Sequence, residues 1–171
     1  MIYAGIGSRE TPLIVLNEMT AISRELARLN FTLRSGGAKG ADQAFEKGCD
    51  ELNGKKEIFL PWDGFEGKKS LFDLPLEAFS IAWKFHPNWN ALSAGAKKLM
   101  ARNSQQICGP DCETSMSDFV ICWTANGSDK GGTGQAIRIA WCYDIPVYNL
   151  YNHYDRNQLS IFLPQLKYIL E

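Results

Sequence analysis

Five short apolar runs, "IYAGIGS" (2–8), "FTLRSGG" (31–37), "KEIFLPW" (56–62), "DFVICWT" (118–124) and "IPVYNL" (145–150), are separated by longer stretches with helical spacing. That alternation constrains the fold more than any other feature. Each run has strand length and is too continuously apolar for the face of an amphipathic helix. Consecutive strands joined through helices need crossovers, and strands apolar on both faces need cover on both faces. Residues 13–30 carry Leu16, Met19, Ile22, Ser23 and Leu26 at helical spacing, and 41–52 reads as a second helix. The tail from Arg156 is helical, with Pro164 as a kink, and the piece 63–117 holds two helices separated at "HPNW". No low-complexity linker breaks the chain. The expectation is a single α/β domain over residues 1–171, with a mainly parallel sheet of about five or more strands and helices on both faces.

In such sheets ligands bind beyond the carboxyl ends of the strands. The unusual residues of this chain fall at those turns: "GIGSRETP", "SGGAKGAD", "PWDGFEG" and "TANGSDKGGTGQ". Glycine lets a backbone amide approach a ligand, and the free amides at a helix start carry the positive end of its dipole. Together they form an anion site. The candidate contacts are Gly7, Ser8 and Arg9 after the first strand, and Ser35, Gly36, Gly37, Gly40 and Asp42 after the second. After the fourth they are Gly131, Gly132, Thr133, Gly134 and Gln135. Asp42 reads either as a first-turn residue favoured by the helix dipole or as an acceptor for ribose hydroxyls. Trp62, with Phe65, either stacks a base or covers the edge of the core. Arg138 lies four residues after Gly134. It either grips a phosphate or carboxylate of the ligand or forms a structural ion pair.

These turns, with "ARNSQQICG", resemble the Rossmann-type domain of the SLOG superfamily, which includes the DNA-processing (DprA/Smf) proteins and the Lonely Guy (LOG) phosphoribohydrolases. The "GSR" and "SGGAKGAD" turns are similar to DprA, and the nearest likeness is to small DprA-like proteins, many of them encoded by bacteriophages. The resemblance covers about residues 1–150. It adds Arg102 and Asn103 to the site, at the place of an Arg-Asn pair in DprA. The "GGTG" turn resembles the LOG motif PGGxGTxxE, but Arg138 stands at the place of its catalytic glutamate and Gln135 at that of its threonine. DprA proteins also carry flanking segments for which little sequence is left here.

Three functions follow, in this order. The first is a binder of a nucleotide or nucleotide-derived phosphorylated small molecule, for sensing or sequestration. The second, implied by the LOG resemblance, is an N-glycosidase of nucleoside monophosphates, with Glu10, Asp42, Asp118 and Asp129 as the available carboxylates. The third is a DprA-like mediator on single-stranded DNA. A formal net charge of -1 disfavours DNA, because a basic footprint is usual there. A homodimer through the apolar final helices is expected. The N-terminus lacks a leader pattern, no window has membrane-spanning length, and five irregularly spaced cysteines suit a reduced cytoplasm, that of an infected host for a phage protein. Cys108 and Cys112 form the one close pair, and neither His86 nor His153 is spaced to complete a metal set, so no metal and no cofactor are expected.

Overall fold

The computed structural model describes residues 1–171. Strands β1 (Ile2–Gly5), β2 (Thr32–Ser35), β3 (Lys56–Ile58), β4 (Phe119–Cys122) and β5 (Val147–Asn149) form one parallel sheet in the order β3-β2-β1-β4-β5. The chain moves outward from β1 in one direction to β3, then returns to the other side of β1 for β4. At that reversal the crossovers diverge and leave a crevice above the β1–β4 pair.

Successive side chains of a strand point to opposite faces, and both faces here are apolar. Tyr3, Leu33, Phe119 and Ile121 face a core shared with α1 (Leu13–Arg28), α2 (Ala41–Asp50), α6 (His153–Phe162) and α7 (Lys167–Leu170). Ala4, Ile6, Val120 and Cys122 face a second core, closed by α3 (Leu76–Phe85), α4 (Ala94–Cys108) and α5 (Gly131–Cys142). The register sets Tyr3 opposite both Leu33 and Phe119, and the Tyr3 and Phe119 rings stack at 5.8 Å. The architecture is thus a single Rossmann-like domain, as the alternation of runs required. The piece 63–117 contains α3 and α4, divided by a short turn at Trp89–Ala91. Pro164 does not kink one helix. It opens the turn Pro164–Leu166, which separates α6 from α7. Leu159, Leu163, Leu166 and Leu170 of this tail face the core, while Tyr154, Ile161 and Tyr168 remain exposed. No helix is long and apolar enough to cross a membrane.

One charged side chain lies wholly inside. Arg34, in the middle of β2, is 0% exposed. It donates to Glu57 Oε2 at 2.7 Å, to the Ser115 carbonyl at 2.7 Å and to Ser115 Oγ at 2.9 Å. A buried guanidinium needs such partners. Here they fasten the loop between α4 and β4 to the sheet.

Candidate functional site

The crevice at the β1–β4 reversal holds a cavity of about 320 Å³. Its walls come from four segments: the turn after β1, the turn after β2, the inner face of α4 and the first turn of α5. Ser8, Arg9, Asp42, Arg102, Asn103 and Thr133 supply much of its polar lining.

Local sequence explains how the two glycine turns reach this place. Gly40 has φ +91° and begins α2, where a Cβ would meet the backbone of Ser8 and Arg9 at 3.0–3.3 Å. A side chain there would push the β1 and β2 turns apart. Gly36 is required for another reason. A Cβ there would occupy the position of the Arg102 guanidinium, which donates to the Gly36 carbonyl. Neither α2 nor α5 has a side-chain cap at its N-terminus. The first amides of a helix have no intrahelical acceptor, so those of α5 are free toward the cavity, beside Gly132 and Thr133.

Arg102 enters from α4 and is buried. Its Nη1 lies 3.6 Å from Asp42 Oδ2, and its guanidinium rests over the Phe65 ring at 5.7 Å. Burial pushes the Asp42 carboxyl up to about 6, against the opposing pull of Arg102 and of the Ala38 amide that donates to it. Burial likewise lowers the basicity of Arg102, with Asp42 acting in the other direction. Asn103 donates to the Gly132 carbonyl at 3.1 Å and to Gln135 Oε1 at 3.4 Å, and Gln135 donates to the Ala82 carbonyl at 3.1 Å. That chain of bonds fixes the start of α5 against α4 and α3.

The structure brings together Gly7, Ser8, Arg9, Asp42, Arg102, Asn103, Gly132 and Thr133 as lining residues of the cavity. Others lie behind the wall. Ser35 donates to Glu46 Oε1 at 2.7 Å and is buried. Gly36 receives Arg102, and Gly37 packs toward Leu60 and Lys68. Gly131 precedes the lining pair, and Gly134 packs tightly on the Asp129 backbone. Trp62 stands outside the lining, edge-on to Phe65 with ring centroids 5.2 Å apart, and it is Phe65 that lies under Arg102. Arg138 turns away from the cavity. Its partners are neither a ligand group nor a carboxylate but two backbone carbonyls, those of Phe85 (3.0 Å) and Asp129. It ties the end of α3 to the loop before α5.

The four carboxylates also separate. Glu10 and Asp42 line the cavity. Asp118 accepts from the Ile2 amide at 2.6 Å, which puts it at the amino ends of β1 and β4, opposite the crevice. Asp129 does not line the cavity; its backbone packs on Gly134 and its carbonyl accepts from Arg138. Sequence reasoning missed the apolar walls from Ile6, Leu99, Met100 and Ala136, and also Gln106. A signal for Gln106 existed. Arg102 to Gln106 is a polar run within one helix, every member of it buried, and buried polar side chains on a helix point to a ligand or a network.

No family model matches the chain, and no curated protein matches it. Among solved structures it is similar to DNA processing protein A from Helicobacter pylori, described for its unique single-stranded DNA binding mode. The TM-score is 0.59 at 20% sequence identity, over 87% of this chain and 64% of that one. The chain therefore spans less than two thirds of that structure. The likeness is one of fold and supports a DprA-like Rossmann-type architecture.

Proposed function

We propose that the crevice binds one nucleotide unit, with its phosphate at Ser8, Arg9 and Thr133. The observation that carries this reading is convergence: two glycine turns, the uncapped start of α5 and a buried guanidinium meet on one cavity. Those are the elements of an anion site. A free nucleotide, or a phosphorylated molecule derived from one and held for sensing or sequestration, satisfies this geometry.

A second reading takes the unit from single-stranded DNA, and the fold's likeness to a protein with that binding mode favours it. The net charge of -1 is a weak objection to it. Charge acts locally over about a Debye length, and the crevice adds the buried Arg102 to turns in which Arg9, Lys39 and Lys130 balance Glu10, Asp42 and Asp129. Calorimetry at rising salt, with mononucleotides and with short single-stranded oligonucleotides, distinguishes the sources. Oligonucleotide binding that falls steeply with salt selects DNA, whereas mononucleotide binding with a shallow slope selects the small molecule. Absence of both overturns the reading.

Gly132→Val is expected to leave the fold intact and to abolish either kind of binding. A Cβ there meets only Asn103 Nδ2 and Met100 Cε, both at 3.4 Å, while the rest of the side chain enters the cavity. Unchanged affinity in a folded variant would remove the cradle.

The Asp42 carboxyl gives a pH signature. A phosphodiester probe keeps one charge between pH 5 and 8, so any change in its binding belongs to the protein. Above about 6 Asp42 is ionised and repels the anion. Below that it is neutral. Affinity is expected to rise as pH falls from 7.5 to 5.5, by about tenfold for each unit that the bound anion pushes Asp42 further up. Asp42→Asn should flatten the profile at the high-affinity level. A wild-type profile with no slope would show that the anion sits away from Asp42.

A further inference from the structure

Three buried polar atoms of the molecule have no partner: Arg102 Nε, Ser104 Oγ and Gln106 Nε2, all on α4. Gln106 is 2% exposed and lines the cavity. Its neighbour Gln105 shows what a buried carboxamide normally does, donating to the Asp73 carbonyl at 2.8 Å and the Pro110 carbonyl at 2.9 Å. Buried polar groups are almost always bonded. A buried carboxamide left unpaired on a residue that lines a cavity therefore points to a group that the cavity receives.

The chemistry of that group follows from what surrounds it. Arg102 Nε also lacks a partner, and the Asp42 carboxylate meets the other end of that guanidinium across the cavity wall, 3.6 Å from Nη1. A phosphate offers acceptors only, so it suits Arg102 but not a carboxylate or the oxygen of a carboxamide. A group with donors and acceptors along one edge suits all of them. The remaining walls, from Ile6, Leu99, Met100 and Ala136, are apolar. Apolar faces with a mixed polar edge describe a nucleobase. At about 320 Å³ the cavity stands at the small end of ligand sites, which run from about 300 to 1,000 Å³. It has room for a single nucleoside unit.

We propose that the α4 wall of the crevice is a recognition subsite for the hydrogen-bonding edge of a nucleobase, with Gln106 as its specificity-determining residue. The inference rests on the nucleotide reading above and names the part of the ligand that enters first. A carboxamide presents a donor beside an acceptor, the complement of the amino group and ring nitrogen of adenine. The N3–H and carbonyl edge of uracil or thymine offers the same pairing, so the subsite distinguishes a ligand that carries a base from one that carries none.

The test measures binding of AMP, UMP and ribose 5-phosphate to the full chain, with p(dA)6 and p(dT)6 as the single-stranded source of the same edges. Both AMP and UMP are expected to bind more tightly than ribose 5-phosphate, and p(dA)6 and p(dT)6 both bind if the strand is the source. Gln106→Leu should weaken AMP about tenfold, within the range of one good bidentate base contact, and leave ribose 5-phosphate unchanged. It should melt at or above the wild-type temperature, because it replaces an unpaired buried amide with an apolar group. If it fails to fold, Gln106→Met serves in its place. A merely structural Gln106 would lower the melting temperature without altering the advantage of AMP over ribose 5-phosphate. Equal binding of AMP and ribose 5-phosphate by the wild type overturns the base subsite and leaves the phosphate cradle standing. Equal AMP affinity in Gln106→Leu removes Gln106 from it. Failure of every probe overturns the nucleotide reading as well.

Discussion

Arg102→Met is expected to lose at least about 30-fold in nucleotide affinity, the ~2 kcal/mol lower end for truncating a buried, hydrogen-bonded charge at a binding surface. Arg102 is the buried cation of the cavity, and Phe65, Gly36 and Asp42 hold its guanidinium in place. Methionine keeps most of the length and apolar contact of the side chain and removes the charge. The substitution should also make stability depend more strongly on pH. Asp42 already titrates near 6 because it is buried, and Arg102 is the largest influence drawing it down. Without that cation its folded value rises further above the unfolded one. A carboxyl shifted this way contributes stability that is fully present below its unfolded value and is lost as pH rises through its folded value. The variant should therefore be least stable near pH 8 and recover most of its melting temperature near pH 5. Asp42→Asn in the same chain should remove the slope. Thermal melts across that range and a binding isotherm check both statements. Wild-type affinity in folded Arg102→Met would remove the buried cation from the site.

Arg34→Met is expected to give the largest loss of stability, about 3 kcal/mol. The value lies at the low end for breaking a buried ion pair because the abandoned partner, Glu57, is 27% exposed and recovers solvation. The rest of the loss comes from the Ser115 carbonyl and the Ser117 hydroxyl, which lose the buried donor. For a chain of this size that corresponds to a melting temperature about 6–12 °C lower. The loop 109–117 should become sensitive to protease, since Arg34 is what fastens it to β2. Nucleotide affinity should persist at low temperature, because Arg34 does not line the cavity. A loss under ~1 kcal/mol would show that the guanidinium only fills space.

The sheet, its parallel sense and the covering of both faces were legible in the sequence because they depend on local period and run length. "DFVICWT" has the length and the β-branched and aromatic content of a strand buried on both sides, and β4 is buried at every position. The glycine turns were legible too. Their position follows from strand order, and Gly7, Ser8, Arg9, Gly132 and Thr133 meet where the order reverses.

What tertiary structure alone decided is where each cation points. Arg34 and Arg138 each stand in a mainly apolar run and Arg102 in a polar one, and none of these runs says where its guanidinium will point. Arg34 is held by a loop more than eighty residues away in sequence, and Arg138 by two backbone carbonyls, one of them at the end of another helix. Only Arg102 reaches the cavity. Trp62 and Phe65 divide in the same way, one beside the site and one supporting it. Gln105 and Gln106 are adjacent and chemically identical, yet one is satisfied by the chain and the other by nothing in it. A side chain's reach depends on helix phase and on partners brought from distant segments. Periodicity tells which face of a helix is buried, but not whether a polar group on that face will find a protein partner or open space.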